Sequence, residues 1–206
     1  MTTARSRDAW KTYAFWAIWV GVAFFSVYPT SNWLTALRGE HFSLYFAAEL
    51  NVPFVPEFIV VYLSMYVLFM TPPFFLQVAE LAALGKQLIV GTLLSGLIFM
   101  LLPAKLGFER QIPKDEWLAS FYSTLFAIDM PHNMVPSLHV VFSALIVFSL
   151  AESETGGRFR LSWYGWLAVI CASTLLVHQH HLIDIVAALV LVYLVRKNIV
   201  KSQSHE

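Results

Sequence analysis

Charge is scarce in this chain. Lysine and arginine together number 13, and aspartate and glutamate 13, among 206 residues, so 13% are charged against 58% hydrophobic. Soluble domains carry roughly 25% charged residues. Too little polar material remains to cover a water-facing surface, which excludes an ordinary soluble protein. The two signs cancel to a net charge of zero. Without a basic surplus nothing draws the chain to a phosphate backbone, and a nucleic-acid partner is excluded. Cysteine is nearly absent: Cys171 stands alone in an apolar segment, forms no intrachain disulfide and leaves the redox compartment unread. Internal repeats, low-complexity tracts and any sign of a second domain are lacking, so residues 1–206 read as a single membrane domain. Arg5, Arg7 and Lys11 ahead of an apolar run give the charge order of a signal peptide. The region after Tyr28 lacks a small-x-small cleavage pattern, and the run is read as a retained first span.

What the chain does have is apolar segments, at 13–28, 58–76, 87–104, 135–151, 161–177 and 181–195. A full span takes about 20 residues. The fourth and sixth reach that length only if the polar clusters at their starts lie within the helix. The expected fold is therefore all-α, a polytopic six-transmembrane-helix bundle. Residues 29–57, with Trp33, Phe42, Tyr45 and Phe46, read as an interfacial segment rather than a span. Pro72-Pro73 should kink or end the second span. A short amphipathic helix is expected around residues 117–128, and a glycine-containing turn at 152–160.

Topology follows from the basic residues. A cytoplasmic N-terminus with six spans puts Arg5, Arg7, Lys11, Lys86, Arg158, Arg160, Arg196, Lys197 and Lys201 inside and Arg38, Lys105, Arg110 and Lys114 outside. Nine against four favours both termini in the cytoplasm. The same arrangement brings residues 105–133, Ser137-Leu138-His139 and His180 to the outer face.

The polar clusters carry the chemistry. His180 and Asp184 stand at i, i+4 at the mouth of the sixth segment. At that spacing they share a helical face, where the carboxylate can orient and charge-stabilise the imidazole. Ionisable groups at the ends of apolar helices are costly and usually mark function. His180 reads as a nucleophile, Asp184 as its orienter, and His139 as a general acid for a departing oxygen. The amides around Ser137 and Leu138 open a helix whose dipole suits an anion, and Lys105 and Arg110 supply charge for phosphate oxygens. These are the parts of phosphoryl transfer through a phosphohistidine, with no metal or other cofactor required. The plain alternatives stay in view. His180 and Asp184 also suit a polar clamp between helices, Pro136-Ser137 is a good helix start, and Lys105 and Arg110 suit interfacial anchors. His178, His180 and His181 lack a Glu or Cys to complete a metal sphere. Asp129, His132 and His41 receive no role.

Pro136-Ser137-Leu138-His139 resembles the Pro-Ser-x-His motif of the type 2 phosphatidic acid phosphatase (PAP2) superfamily. His180-x-x-x-Asp184, with Ser173 seven residues ahead, is similar to that superfamily's third motif. Lys105 to Pro113 loosely resembles its first motif, Lys-x6-Arg-Pro. Asp129-x-x-His132-Asn133 and Gln179-His180-His181 resemble most the branch that holds inositol phosphorylceramide synthases, which includes phosphotransferases. The resemblance covers about residues 58–195. It implies a six-helix bundle, a phosphorylated His180, His139 as leaving-group acid and Asp184 as orienter. Two departures stand out: Ile112 and Thr174 occupy positions where the superfamily has arginine. Phosphate-binding charge is thereby either thinner than in the superfamily or relocated onto Arg110, Lys105 and His178. The expected function is a lipid phosphatase acting on a lipid phosphate or diphosphate. Its rivals are a phosphotransferase moving a phosphate-linked head group onto a lipid alcohol, and a non-catalytic scaffold.

Overall fold

In hydrocarbon every peptide group must find its partner within its own segment, so long apolar runs become helices. The computed structural model of the chain describes residues 2–128 and 131–203. Its helices are α1 (Thr2–Ala36), α2 (Ile59–Phe69), α3 (Pro72–Phe75), α4 (Val78–Leu101), α5 (Glu116–Ile128), α6 (Leu138–Glu152), α7 (Arg160–Leu176) and α8 (Leu182–Gln203), with no strand among the described residues. Among the described residues, three helices are long and apolar enough to cross a bilayer: Arg7–Ala36, Val78–Leu101 and Gly157–Leu176. Two shorter apolar helices, Pro56–Phe69 and Leu138–Glu152, accompany them. The protein is an all-α membrane protein.

Several boundaries differ from those the hydropathy pattern predicts. α1 runs on through Pro29 to Ala36, so the first eight residues of the expected interfacial segment are helix. The side chain of Asn133 holds this extension, donating from Nδ2 to the Tyr28 carbonyl at 3.2 Å and to Ser31 Oγ at 3.0 Å. Thr35 Oγ1 donates to Asn133 Oδ1 at 3.2 Å. α4 begins at Val78, ahead of the apolar run at 87, because the Glu80 carboxylate accepts the Gln77 N–H at 2.7 Å and satisfies an orphan amide of the first turn. The second apolar segment is divided into α2 and α3, with the break at Met70-Thr71 just ahead of the two prolines. The amphipathic helix in the loop forms as α5.

α6 sits at the centre. It is buried on nearly every side and packs on α2, α4, α7 and α8, as a helix that is apolar all round must. Glycines on α4 permit close packing on two fronts. A Cβ at Gly91 would lie 3.2 Å from Val141 of α6, and one at Gly85 or Gly96 would overlap Trp16 or Val27 of α1. Fifteen residues give α6 a length of about 22 Å, less than the roughly 30 Å of a bilayer's hydrocarbon.

Candidate functional site

The turn between α7 and α8 is built on an uncommon backbone. His178 adopts the left-handed conformation, with φ 55°, which is costly for a residue with a Cβ. The turn is repaid in backbone bonds, since the amides of Gln179 and His180 both donate to the Thr174 carbonyl at 3.0 Å. Thr174 thus contributes its carbonyl to this turn. The reversal delivers His180 to the site and starts α8 at Leu182.

His180 Nδ1 lies 3.1 Å from Asp184 Oδ2. The contact is the expected one, but its geometry is not that of two residues on one helical face. His180 precedes α8, and Asp184, in the first turn, reaches back to it. The same Oδ2 accepts the His181 N–H at 2.8 Å, so the carboxylate caps the helix while it holds the imidazole. With Nδ1–H donated to a carboxylate, Nε2 carries the lone pair.

Ser137 is the N-cap of α6. Its Oγ accepts the Val140 N–H at 3.3 Å, and its own N–H donates to the Asp184 carbonyl at 3.2 Å. The starts of α6 and α8 are thereby joined through their backbones. The Ser137 amide is occupied by that bond, which leaves Leu138 and His139 as the first-turn amides for an anion. His139 is buried, with Nε2 2.7 Å from the Tyr62 carbonyl and its ring stacked on the Tyr62 ring at 3.8 Å between centroids. A carbonyl only accepts, so Nε2 bears a proton there and in the neutral ring Nδ1 carries the lone pair. Leu138, His139 and His180 line one cavity of about 880 Å³.

The other expected phosphate ligands are not on that cavity's wall. His178 places Nε2 2.9 Å from the Val52 carbonyl and stacks flat on Phe108 at 4.0 Å. Arg110 donates to the Phe126 carbonyl at 3.1 Å and lies over the Phe126 ring. Lys105 is exposed; its amide donates to the Phe42 carbonyl at 3.0 Å. No lysine or arginine lines the cavity among the described residues. Within the same residues no three His, Cys, Asp or Glu side chains form a metal-binding group. Asp129 lies outside the described residues.

Two residues went unassigned in the sequence and matter in the structure. Glu49, in the loop after α1, is buried; its Oε2 accepts the Leu182 N–H at 2.7 Å and lies 3.3 Å from His181 Nδ1, and its Oε1 accepts the Phe46 N–H. His181 accepts the Gly107 N–H on Nε2 at 3.0 Å and lies stacked on Tyr45 and Phe108. Since Nε2 accepts, the His181 proton sits on Nδ1, facing Glu49. Burial holds His181 below the usual histidine range, against the opposing pull of Asp184 and Glu49. Desolvation lowers His178 as well. The signal for Glu49 was an acidic residue alone in an apolar, aromatic stretch.

Compared with protein families, the chain matches the model described as PAP2 superfamily over residues 84–203. That span takes in every motif residue from Lys105 to Asp184 and exceeds half of the chain. No curated protein and no solved structure matches.

Proposed function

The chain belongs to the PAP2 superfamily, whose chemistry is that of phosphatases and phosphotransferases, and on that premise we propose that it is a lipid phosphatase working through a phosphohistidine on His180. One observation carries the reading: His180, held through Nδ1 by buried Asp184 at 3.1 Å, shares a cavity with His139 at the start of α6. His180 Nε2 attacks phosphorus, the P–O bond to the lipid breaks, and His139 in its imidazolium form gives the leaving oxygen a proton. Neutral His139 then takes a proton from water, which attacks phosphorus, breaks the P–N bond and releases inorganic phosphate. The amides of Leu138 and His139, at the positive end of α6, face the oxygens that gain charge. Asp184 stabilises the imidazolium that His180 becomes. A hydroxyl in place of water would give the transferase reaction with the same covalent step.

The proposed topology has six spans, α1, α2 with α3, α4, α6, α7 and α8. Both termini lie in the cytoplasm and the site on the outer face. It is supported by the nine-to-four distribution of basic residues and by the gathering of Asn133, Ser137, His180 and Glu49 at one end of the bundle.

The test is phosphate release from a panel of lipid phosphates and diphosphates by wild type and His180→Ala, each with and without an acceptor alcohol. The variant should lose activity by at least about a thousandfold while still purifying folded from detergent, as loss of a covalent nucleophile demands. Activity within tenfold of wild type would remove His180 from the chemistry. Capture of the phosphoryl group by the alcohol in preference to water would assign transfer instead of hydrolysis.

A further inference from the structure

The cavity shared by His139 and His180 continues far beyond them. Its wall follows α1 from Asn32, at the site end, to Tyr13, 19 residues and about 28 Å away at 1.5 Å per residue. That depth is close to the roughly 30 Å of hydrocarbon in a bilayer. Below the histidines the wall turns apolar, with Val20 and Phe24 of α1, Met65 of α2, Leu84 and Leu88 of α4, and Phe142 of α6. α1 packs along α4 and touches α3 but makes no comparable contact with α2, so the seam between α1 and α2 is left unpacked. The Tyr13 hydroxyl, donating to the Phe69 carbonyl at 2.7 Å, ties the seam at its far end. Gly21 lines the cavity at mid-depth, and a Cβ placed there meets nothing within 4 Å.

The wall is apolar along nearly its whole length and continuous with His139 and His180, which suits a single hydrocarbon chain attached to the reacting phosphate.

We propose that this cavity is the berth of a hydrocarbon tail of the substrate, with the phosphate at His180 and the tail directed towards Tyr13, and that its depth sets the longest chain accepted. The identity of the phosphate end rests on the phosphatase reading above. A tail leaving the bilayer for an apolar cavity exchanges one hydrocarbon environment for another and gains little hydrophobic free energy. Chain length is therefore read by exclusion. A plug at mid-depth should reject long tails and leave short ones untouched.

Gly21→Phe supplies that plug, with Ala17→Phe, also on the wall, as a second variant should the first not purify folded. Wild type and variant are compared on octyl and octadecyl phosphate. In parallel, octadecyl phosphate bearing a photoreactive diazirine at its terminal carbon is crosslinked and the labelled peptides are mapped. The plug should lower kcat/KM for the octadecyl ester at least about tenfold and that for the octyl ester less than about threefold. Labelling of wild type should fall on the first half of α1 and on α4 near Leu81, and the plug should abolish it. Equal effects on both esters, with labelling elsewhere, would overturn the tail site and leave the phosphatase reading standing. Labelling that follows the expected pattern without any phosphate release would keep the tail site and overturn that reading.

Discussion

Glu49 never touches the cavity, yet its carboxylate accepts the amides of Phe46 and Leu182 and lies 3.3 Å from Nδ1 of His181. A glutamine offers one acceptor oxygen in place of two and turns an NH₂ towards one of those donors. A buried donor left without its partner costs about 1–3 kcal/mol. Glu49→Gln should therefore lower the thermal midpoint in detergent and reduce turnover by displacing the residues just ahead of α8. An unchanged midpoint with unchanged turnover would show that the clamp holds nothing. His178 and His181 add a pH dependence of known sign. Both are pushed below the ordinary value of 6.5 in the folded protein by burial. Below about pH 6.5 the unfolded chain takes up protons that the folded chain refuses, so stability falls as pH drops through that value and is level above it. Midpoints measured from pH 5 to 8 should be flat down to about 6.5 and then decline. A midpoint that rises on acidification would contradict the assignment of both rings as neutral.

At the level of elements, the sequence was informative where a single local rule governs and silent where distant segments meet. Ser137 as the start of α6, the amphipathic α5 and the break at Pro72-Pro73 each follow from capping, periodicity or a missing amide. The His180–Asp184 contact was legible from spacing, although it is a helix-start contact rather than a pair on one face. Nothing local says that Asn133 will pin the end of α1, or that the loop at Glu49 will fold over the start of α8. Both depend on partners about 100 residues or more away. Arg110 shows the same limit. Its charge and position resemble a displaced motif arginine, while in the structure its guanidinium lies on Phe126 and ties the 103–115 loop to α5. α5 in turn packs on the ends of α2 and α7, with the Tyr122 hydroxyl donating to the Pro56 carbonyl. Arg110→Ala should then lower the thermal midpoint, with kcat/KM for a lipid phosphate reduced by less than about tenfold, since a direct charge-assisted contact to phosphate would cost about 1.5–3 kcal/mol. A larger kinetic loss at an unchanged midpoint would bring Arg110 to the phosphate after all.

For the whole molecule, the membrane orientation and the chemistry constrain each other. On the proposed topology, the amides and His139 at the start of α6 lie at the end of the bundle that meets the headgroups. A substrate phosphate at headgroup depth reaches them only if its tail stays in hydrocarbon. The starts of α6 and α8 and the end of α1 lie at the same end of the bundle, bound together through Asn133, Ser137 and Asp184. The side of the membrane that this end faces is proposed from the excess of basic residues on the other side. Cysteines introduced one at a time at Ser120, in α5, and at Ser202, near the C-terminus, test that assignment in a Cys171→Ser background. An impermeant thiol reagent applied to intact cells should label position 120 and spare position 202, while permeabilised cells should label both. Labelling of position 202 alone in intact cells would invert the bundle. The reacting phosphate would then lie on the cytoplasmic side, and the nine basic residues would be on the face that the positive-inside rule disfavours.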